Sequence, residues 1–256
     1  MPVNQFLQVL RDGKVLIGLS CGYTDPTIIE SICKGFNFVW IDAQHGIVNE
    51  SSTLGAIRAA TGIGVQSMVR TPGQNPDVLL RFADQVPSAL MVPMVNTAAE
   101  ARAVVEALRF PPKGRRSYGA RRAGDLYGRK YYVETELAVV VQIETAEALS
   151  NLEAIAATDG IDLLFLGPDD MKLSMGLPED TPMTHDALDA AFRAVAEAAR
   201  AAGKYAGCIA PTEKGARAAV EAGYQLVVGG GDTLFLRNGA AAALGMMRGV
   251  VGQKGT

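Results

Sequence analysis

Val139-Val140-Val141-Gln142-Ile143-Glu144-Thr145, a helical spacer, and then Leu163-Leu164-Phe165-Leu166-Gly167-Pro168-Asp169-Asp170 decide how this chain folds. Two apolar runs of strand length each end in acidic residues, with a helix between them. Alternate residues of a strand share a face, so Gln142 and Glu144 project the same way as the first run leaves its core. A parallel crossover through the helix brings Glu144 beside Asp170 at one end of a sheet. Two carboxylates there make a hard oxygen-donor site, suited to Mg²⁺ or Mn²⁺ rather than to zinc or copper. Either acid alone reads equally well as a strand-end or helix-cap residue pointing at water. Together with Gln142, they favour a site.

Outward from this stretch, punctuation by Gly, Pro and capping residues orders the rest. A short helix over 4 to 11 precedes a strand at Val15 to Ser20, and Pro26 opens a helix to about Lys34. Phe38 to Asp42 is the second strand, a helix spans about 52 to 60, and Gln66 to Arg70 is the third strand. Asn75-Pro76 starts a helix whose end carries Asp84, Ala89 to Pro93 is the fourth strand, and Thr97 caps a helix that Pro111-Pro112 stops. Beyond the fifth and sixth strands, Thr184 is expected to cap a long alanine-rich helix to 202. Tyr205 to Cys208, a helix from Thr212 to Glu221, Leu226 to Gly229 and a last helix from 233 to 248 complete the chain. Eight strands alternating with helices are the arithmetic of an α/β (β/α)₈ TIM barrel, here one domain over 1 to 256. A doubly wound open sheet would want a glycine-rich phosphate turn after the first strand, and Ser20-Cys21-Gly22-Tyr23 lacks it.

The 256 residues are 48% hydrophobic, with a mean hydropathy of +0.14, enough to bury a large core. No apolar run approaches the roughly twenty residues of a membrane span, and the N-terminus lacks a signal-peptide pattern, so the cytoplasm is the expected compartment. Cys21, Cys33 and Cys208 lack metal-ligand spacing and read as reduced thiols. A net charge of -3 argues against a nucleic-acid partner.

In barrels the chemistry sits at the C-terminal ends of the strands. There the second strand provides Asp42 and then His45, the third Arg70, the fifth Gln142 and Glu144, and the sixth Asp169 and Asp170. A loop histidine is more often structural, but His45 stands three residues past a strand end and before Gly46. The other histidine, His185, reads as surface. Arg70 could be a plain ion-pair partner; a guanidinium at this mouth could equally hold a carboxylate or an enolate oxygen in a geometry no ammonium matches.

Taken in order, Phe38 to His45, Met68-Val69-Arg70-Thr71-Pro72, Val92-Pro93-Met94-Val95-Asn96-Thr97, Phe110-Pro111-Pro112-Lys113-Gly114-Arg115-Arg116, Val141 to Thr145 and Gly167-Pro168-Asp169-Asp170-Met171 resemble the HpcH/HpaI family of class II pyruvate aldolases. The resemblance runs from about residue 15 to 240. It implies a barrel in which Glu144 and Asp170 bind a divalent cation (Mg²⁺, Mn²⁺ or Co²⁺) that chelates a 2-keto acid. It makes His45 the general base or the partner of a water that acts as base, Asp84 the carboxylate that raises the basicity of His45, and Arg70 the stabiliser of the enolate. Gln142 and Asp169 match positions that touch substrate. The implied substrates are pyruvate, or an analogue such as hydroxypyruvate, and an aldehyde. The implied assembly is a homo-oligomer, a hexamer built as a trimer of dimers, with the last helix exchanged between subunits.

Departures from the family pattern fall at Gln44, Val86-Pro87-Ser88, Lys172 and Gly231, and the connection between 117 and 137 is short. They bear on the aldehyde acceptor rather than the core chemistry. The chemistry itself agrees: removing a proton α to a keto group is costly near neutral pH unless charge is neutralised as it forms, and a Lewis-acid cation with a nearby guanidinium does that. A Schiff-base lysine at a strand end would be the other strategy, and none of the eight lysines stands there; Lys14 and Lys204 precede strands, and Lys254 is in the tail. Two competing readings are a coenzyme A thioester lyase of the same barrel superfamily and a non-catalytic binding barrel. Residues 113 to 132, with seven basic residues against Asp125 and four interleaved tyrosines, fit a subunit interface or an anion-drawing lid better than a nucleic-acid surface.

Overall fold

A computed structural model describes residues 4–23 and 25–252. The elements follow the expected alternation. Helix α1 (Gln5–Arg11) leads to β1 (Leu16–Cys21), α2 (Pro26–Ile32), β2 (Phe38–Asp42), α3 (Glu50–Gly62), β3 (Gln66–Arg70), α4 (Pro76–Ala83), β4 (Ala89–Val92) and α5 (Ala98–Leu108). Two short helices, α6 (Arg121–Tyr127) and α7 (Tyr131–Glu134), precede β5 (Ala138–Ile143), α8 (Ala146–Ser150), α9 (Leu152–Ala156), β6 (Leu163–Leu166) and α10 (Pro168–Ser174). The rest is α11 (Asp186–Ala201), β7 (Tyr205–Ile209), α12 (Glu213–Ala222), β8 (Leu226–Gly231) and α13 (Asp232–Val251). The eight strands pair in sequence order, all parallel, and β1 pairs with both β2 and β8 to close a (β/α)₈ TIM barrel.

Local chemistry sets the helix starts. Pro26, Pro76 and Pro168 occupy first-turn positions where a missing N–H costs nothing. Asn49 with Ser52, and Thr97 with Glu100, form reciprocal capping boxes. Two expectations need correction. The long helix after residue 180 is capped by the exposed His185, whose Nδ1 accepts the Ala187 N–H, and not by Thr184. Asp169 and Asp170 lie in the first turn of α10 rather than at a strand end. The connection after Pro112 carries α6 and α7, and Tyr131 within it is buried, with its hydroxyl accepting from the Gly119 and Ala120 amides.

The period of two divides the strands between two cores. Val139, Val141 and Ile143 face outward against the helices with Val39, Ile41, Val69 and Leu164. Trp40, Met68, Met91, Val140 and Phe165 fill the barrel interior. Phe6, Leu7 and Leu10 of α1 join that interior set and plug the N-terminal end, where Asn4 donates to the Ser88 and Glu136 carbonyls. The other end is left for the next inward-facing positions along each strand.

Candidate active site

Continuing the inward rows by two residues replaces apolar side chains with polar ones. Trp40 is followed by Asp42, Met68 by Arg70, and Val140 by Gln142 and then Glu144. Register places Asp42 directly beside Arg70. The Arg70 guanidinium binds Asp42 through both oxygens, Nε to Oδ1 at 2.9 Å and Nη2 to Oδ2 at 2.6 Å, and lies 4.7 Å over the Trp40 ring. Burial pushes the Asp42 carboxyl up, but Arg70 and the Gln44 and His45 amides outweigh it and hold the group below the usual carboxylate range.

Glu144 and Gln142 are each 1% exposed. One Glu144 oxygen, Oε1, accepts the Met94 amide at 2.7 Å. The other lies against Gly167, where a β-carbon would stand 2.5 Å from it, so residue 167 must be glycine for this carboxylate to fit. The same β-carbon would crowd Gln142 Nε2, and Gln142 Oε1 is buried without a hydrogen-bond partner among the described residues. Burial, with repulsion from Asp170, pushes the Glu144 carboxyl up to about 7, although the Met94 amide and Arg70 pull it back. Glu144, Arg70 and Asp170 therefore share one electrostatic environment at the barrel mouth. No cluster of three His, Cys, Asp or Glu side chains suited to a metal occurs among the described residues.

His45 stands on the exposed loop after β2, its amide donating to Asp42 Oδ1 at 3.3 Å. Gly46 lets that loop close over Asp42 and Gly22; a β-carbon there would meet the Asp42 carbonyl oxygen. Among the described residues nothing hydrogen-bonds the His45 imidazole. Asp84, just past α4, is instead paired with the buried Arg116 at 2.8 Å, so one chain does not join Asp84 to His45. Asp169, with a side chain 83% exposed, turns away from Asp170 to pair with Lys172, whose Nζ also reaches the Glu179 carbonyl. Successive residues of a helix diverge by about 100°, which sends the two acids apart.

Lys204 is occupied by the Thr158 and Ile161 carbonyls at the other end of the barrel, and Lys254 lies outside the described residues. The basic segment is anchored through Arg116 to Arg109 at the end of α5, and through Arg122 to the Gln85 carbonyl beyond α4. Among the described residues, no hydrogen bond or ion pair ties it to Asp42, Arg70, Gln142, Glu144 or Asp170 in its own chain. Two features of the mouth were not anticipated. Met94 and Gln74 brace Glu144. Asp232, 2% exposed, accepts the Gly22 and Tyr23 amides and fastens the loop after β1. An acid at the start of the last helix, next to a run of glycines, was the available signal for Asp232.

The closed parallel barrel thus gathers Glu144, Asp170 and the Arg70–Asp42 pair at one mouth, with His45 on the adjoining loop. The HpcH/HpaI aldolase/citrate lyase family model matches residues 18–239, and the chain belongs to this family. It is 37% identical over 252 residues to a 4-hydroxy-2-oxovalerate aldolase of Novosphingobium aromaticivorans, covering 95% of this chain and 94% of that one. It is 33% identical over 255 residues to a hydroxypyruvate/pyruvate aldolase of Pseudomonas aeruginosa, covering 97% and 94%. A solved HpcH/HpaI family protein from Burkholderia cenocepacia superposes with a TM-score of 0.88 at 30% identity, over 96% of this chain and all of that one. No helix among the described residues is long and apolar enough to cross a membrane.

Proposed function

We propose that this chain is a divalent-metal-dependent aldolase that reversibly joins pyruvate, or a close analogue such as hydroxypyruvate, to an aldehyde. The observation that carries the reading is the buried Glu144 carboxylate, whose Oε2 lies against Gly167 at the start of the helix that bears Asp170, with the unpartnered Gln142 Oε1 beside it. Two carboxylates that repel each other in a buried mouth are a poor arrangement without a cation and a good one with it. The donors are all hard oxygens, and two carboxylates leave coordination positions for substrate and water, as Mg²⁺, Mn²⁺ or Co²⁺ requires. Glu144 and Asp170 would hold the ion. When bound, it supplies Lewis acidity toward the keto oxygen and offsets the charge that develops there.

The remaining work falls to side chains. Asp42 occupies two of the five guanidinium donors of Arg70, leaving three for the developing oxyanion and the substrate carboxylate. Gln142 Oε1 has free acceptor capacity for substrate or a water. His45 moves the proton between the keto-acid methyl and solvent, directly or through a water, from a loop whose backbone Asp42 and Gly46 fix. If Asp84 is the partner of His45, a second copy of the chain must bring it. Such a copy would also cover α13, in which only Asp232 is buried while Leu236, Met246, Met247 and Val250 are more than half exposed. A homo-oligomer, arranged as a trimer of dimers with exchanged last helices, meets both requirements, in the cytoplasm where such keto acids are handled. The names of the two aldolase relatives, and the three free donors on Arg70, support a 2-keto acid as the donor substrate.

The test is cleavage of a 4-hydroxy-2-keto acid, followed as pyruvate released. EDTA should abolish it, and Mg²⁺, Mn²⁺ or Co²⁺ should restore it. Full activity in protein shown by elemental analysis to be metal-free would refute the proposal.

A further inference from the structure

Glu144 receives one side-chain hydrogen bond among the described residues, and its donor is the backbone of a strained residue. Met94 sits at φ +58°, one of two non-glycine residues at positive φ among those described. This left-handed region disfavours a long side chain and persists only where neighbours over-determine it. β4 ends at Val92, and beyond it the Met94 N–H donates across to Glu144 Oε1 at 2.7 Å.

The constraint that holds the turn comes from the loop after β3. Gln74 Nε2 donates to the Met94 carbonyl at 2.6 Å and to the Pro93 carbonyl at 3.3 Å. On the far side, Asn96 is tied to the end of β5: its Oδ1 accepts from Thr145 Oγ1 at 2.5 Å and its carbonyl accepts from Asn151 Nδ2 at 2.9 Å. Thr145 directly follows Glu144, so the loops after β4 and β5 are fastened on both sides of the carboxylate. With Oε1 fixed, Oε2 faces Gly167, the residue from which the helix bearing Asp170 begins.

We propose that Gln74 and the left-handed backbone of Met94 are positioning residues for the cation site. They lock one Glu144 oxygen onto a peptide N–H so that the other is presented toward Asp170. This rests on the reading of Glu144 and Asp170 as the ion's ligands. The Met94 side chain itself, 40% exposed, has no part in the brace.

The experiment combines Mn²⁺ affinity, read by electron paramagnetic resonance, with hydrogen exchange of the peptide spanning residues 91–97 in metal-free protein. Gln74→Ala, and Gln74→Glu, which keeps the size but not the donor, should weaken Mn²⁺ binding by roughly ten- to a hundredfold, as loss of an outer-sphere partner does. Both should expose the amide of residue 94, whose exchange should speed up by about tenfold or more. Met94→Gly should hold Mn²⁺ within about threefold of the native affinity, because glycine takes this backbone conformation freely; Met94→Val should not. Native Mn²⁺ affinity in both Gln74 variants, or Met94→Gly as damaging as Glu144→Gln, would overturn the proposal. If the native protein binds no Mn²⁺, the metal reading itself fails. The brace is then decided by exchange alone, and an unprotected residue 94 amide in native protein overturns it.

Discussion

Arg70 and Asp42 form a two-point ion pair at the mouth of the barrel, 2.9 and 2.6 Å, with the guanidinium stacked over Trp40. The same Asp42 oxygen that binds Arg70 Nε also accepts the amides of Gln44 and His45. One carboxylate therefore sets the plane of the cation and the position of the loop that carries the histidine.

Arg70→Lys keeps the charge and loses the fork. An ammonium cannot engage both Asp42 oxygens, stack on Trp40 and still present donors to the oxyanion. A loss of kcat on the order of a hundredfold or more is expected, by comparison with removal of an oxyanion donor. Steady-state kinetics with a 4-hydroxy-2-keto acid check this. A change confined to KM would mean that Arg70 only binds the substrate carboxylate.

Glu144 makes the stability of the metal-free protein depend on pH. Its folded pKa of about 7 lies above the ordinary carboxyl value, so between about 4.5 and 7 the folded state holds a proton that the unfolded state has lost. Stability on this group's account falls as pH rises through that window, by on the order of 3 kcal/mol, and is flat above it. Glu144→Gln stays neutral. Its Tm relative to native, measured without metal, should climb from pH 5 to pH 7.5, and saturating Mn²⁺ should selectively raise the native Tm at the upper end. Parallel Tm curves for the two proteins would show that Glu144 ionises normally.

Asp84 and Asp42 are rival supports for His45, and their surroundings differ. Both Asp42 oxygens are engaged by Arg70, whereas Asp84 is bound to Arg116 through one oxygen and its other oxygen accepts no hydrogen bond among the described residues. Asp84→Asn is expected to shift the acidic limb of the kcat/KM profile, and Asp42→Asn to lower kcat while leaving that limb in place. Mixed oligomers of His45→Ala and Asp84→Asn chains should be more active than either variant alone. A limb that moves only in Asp42→Asn would make the nearer carboxylate the true partner and remove Asp84 from the site.

Much of the barrel was legible because most of its strand residues are apolar and buried on both sides of the sheet. Phe38–Asp42 and Gln66–Arg70 are the same in sequence and structure, residue for residue. Inward projection of Gln142 and Glu144 followed from the period of two. The Arg70–Asp42 pair was not foreseen, since parallel register depends on how two crossovers pack and not on either strand alone. Asp169 and Asp170 both follow the sixth strand in sequence, but the first turn of α10 sends their side chains apart. Met94 left no trace, because nothing about a methionine signals a left-handed backbone; the bond from Gln74 spans twenty residues. Tyr131 was hidden among basic neighbours, although its ring is one of the largest fully buried side chains.

Exchange of pyruvate methyl protons with deuterium, followed by NMR without any aldehyde, tests the central claim most directly. It isolates proton removal from acceptor choice. Native protein with Mg²⁺ or Mn²⁺ should exchange the methyl group, metal-free protein should not, and His45→Ala with metal still bound should be slower by roughly a hundred- to ten-thousandfold. Exchange that proceeds at the native rate after the metal is removed would contradict the assignment of Glu144 and Asp170, and exchange at the native rate in His45→Ala would contradict that of the base.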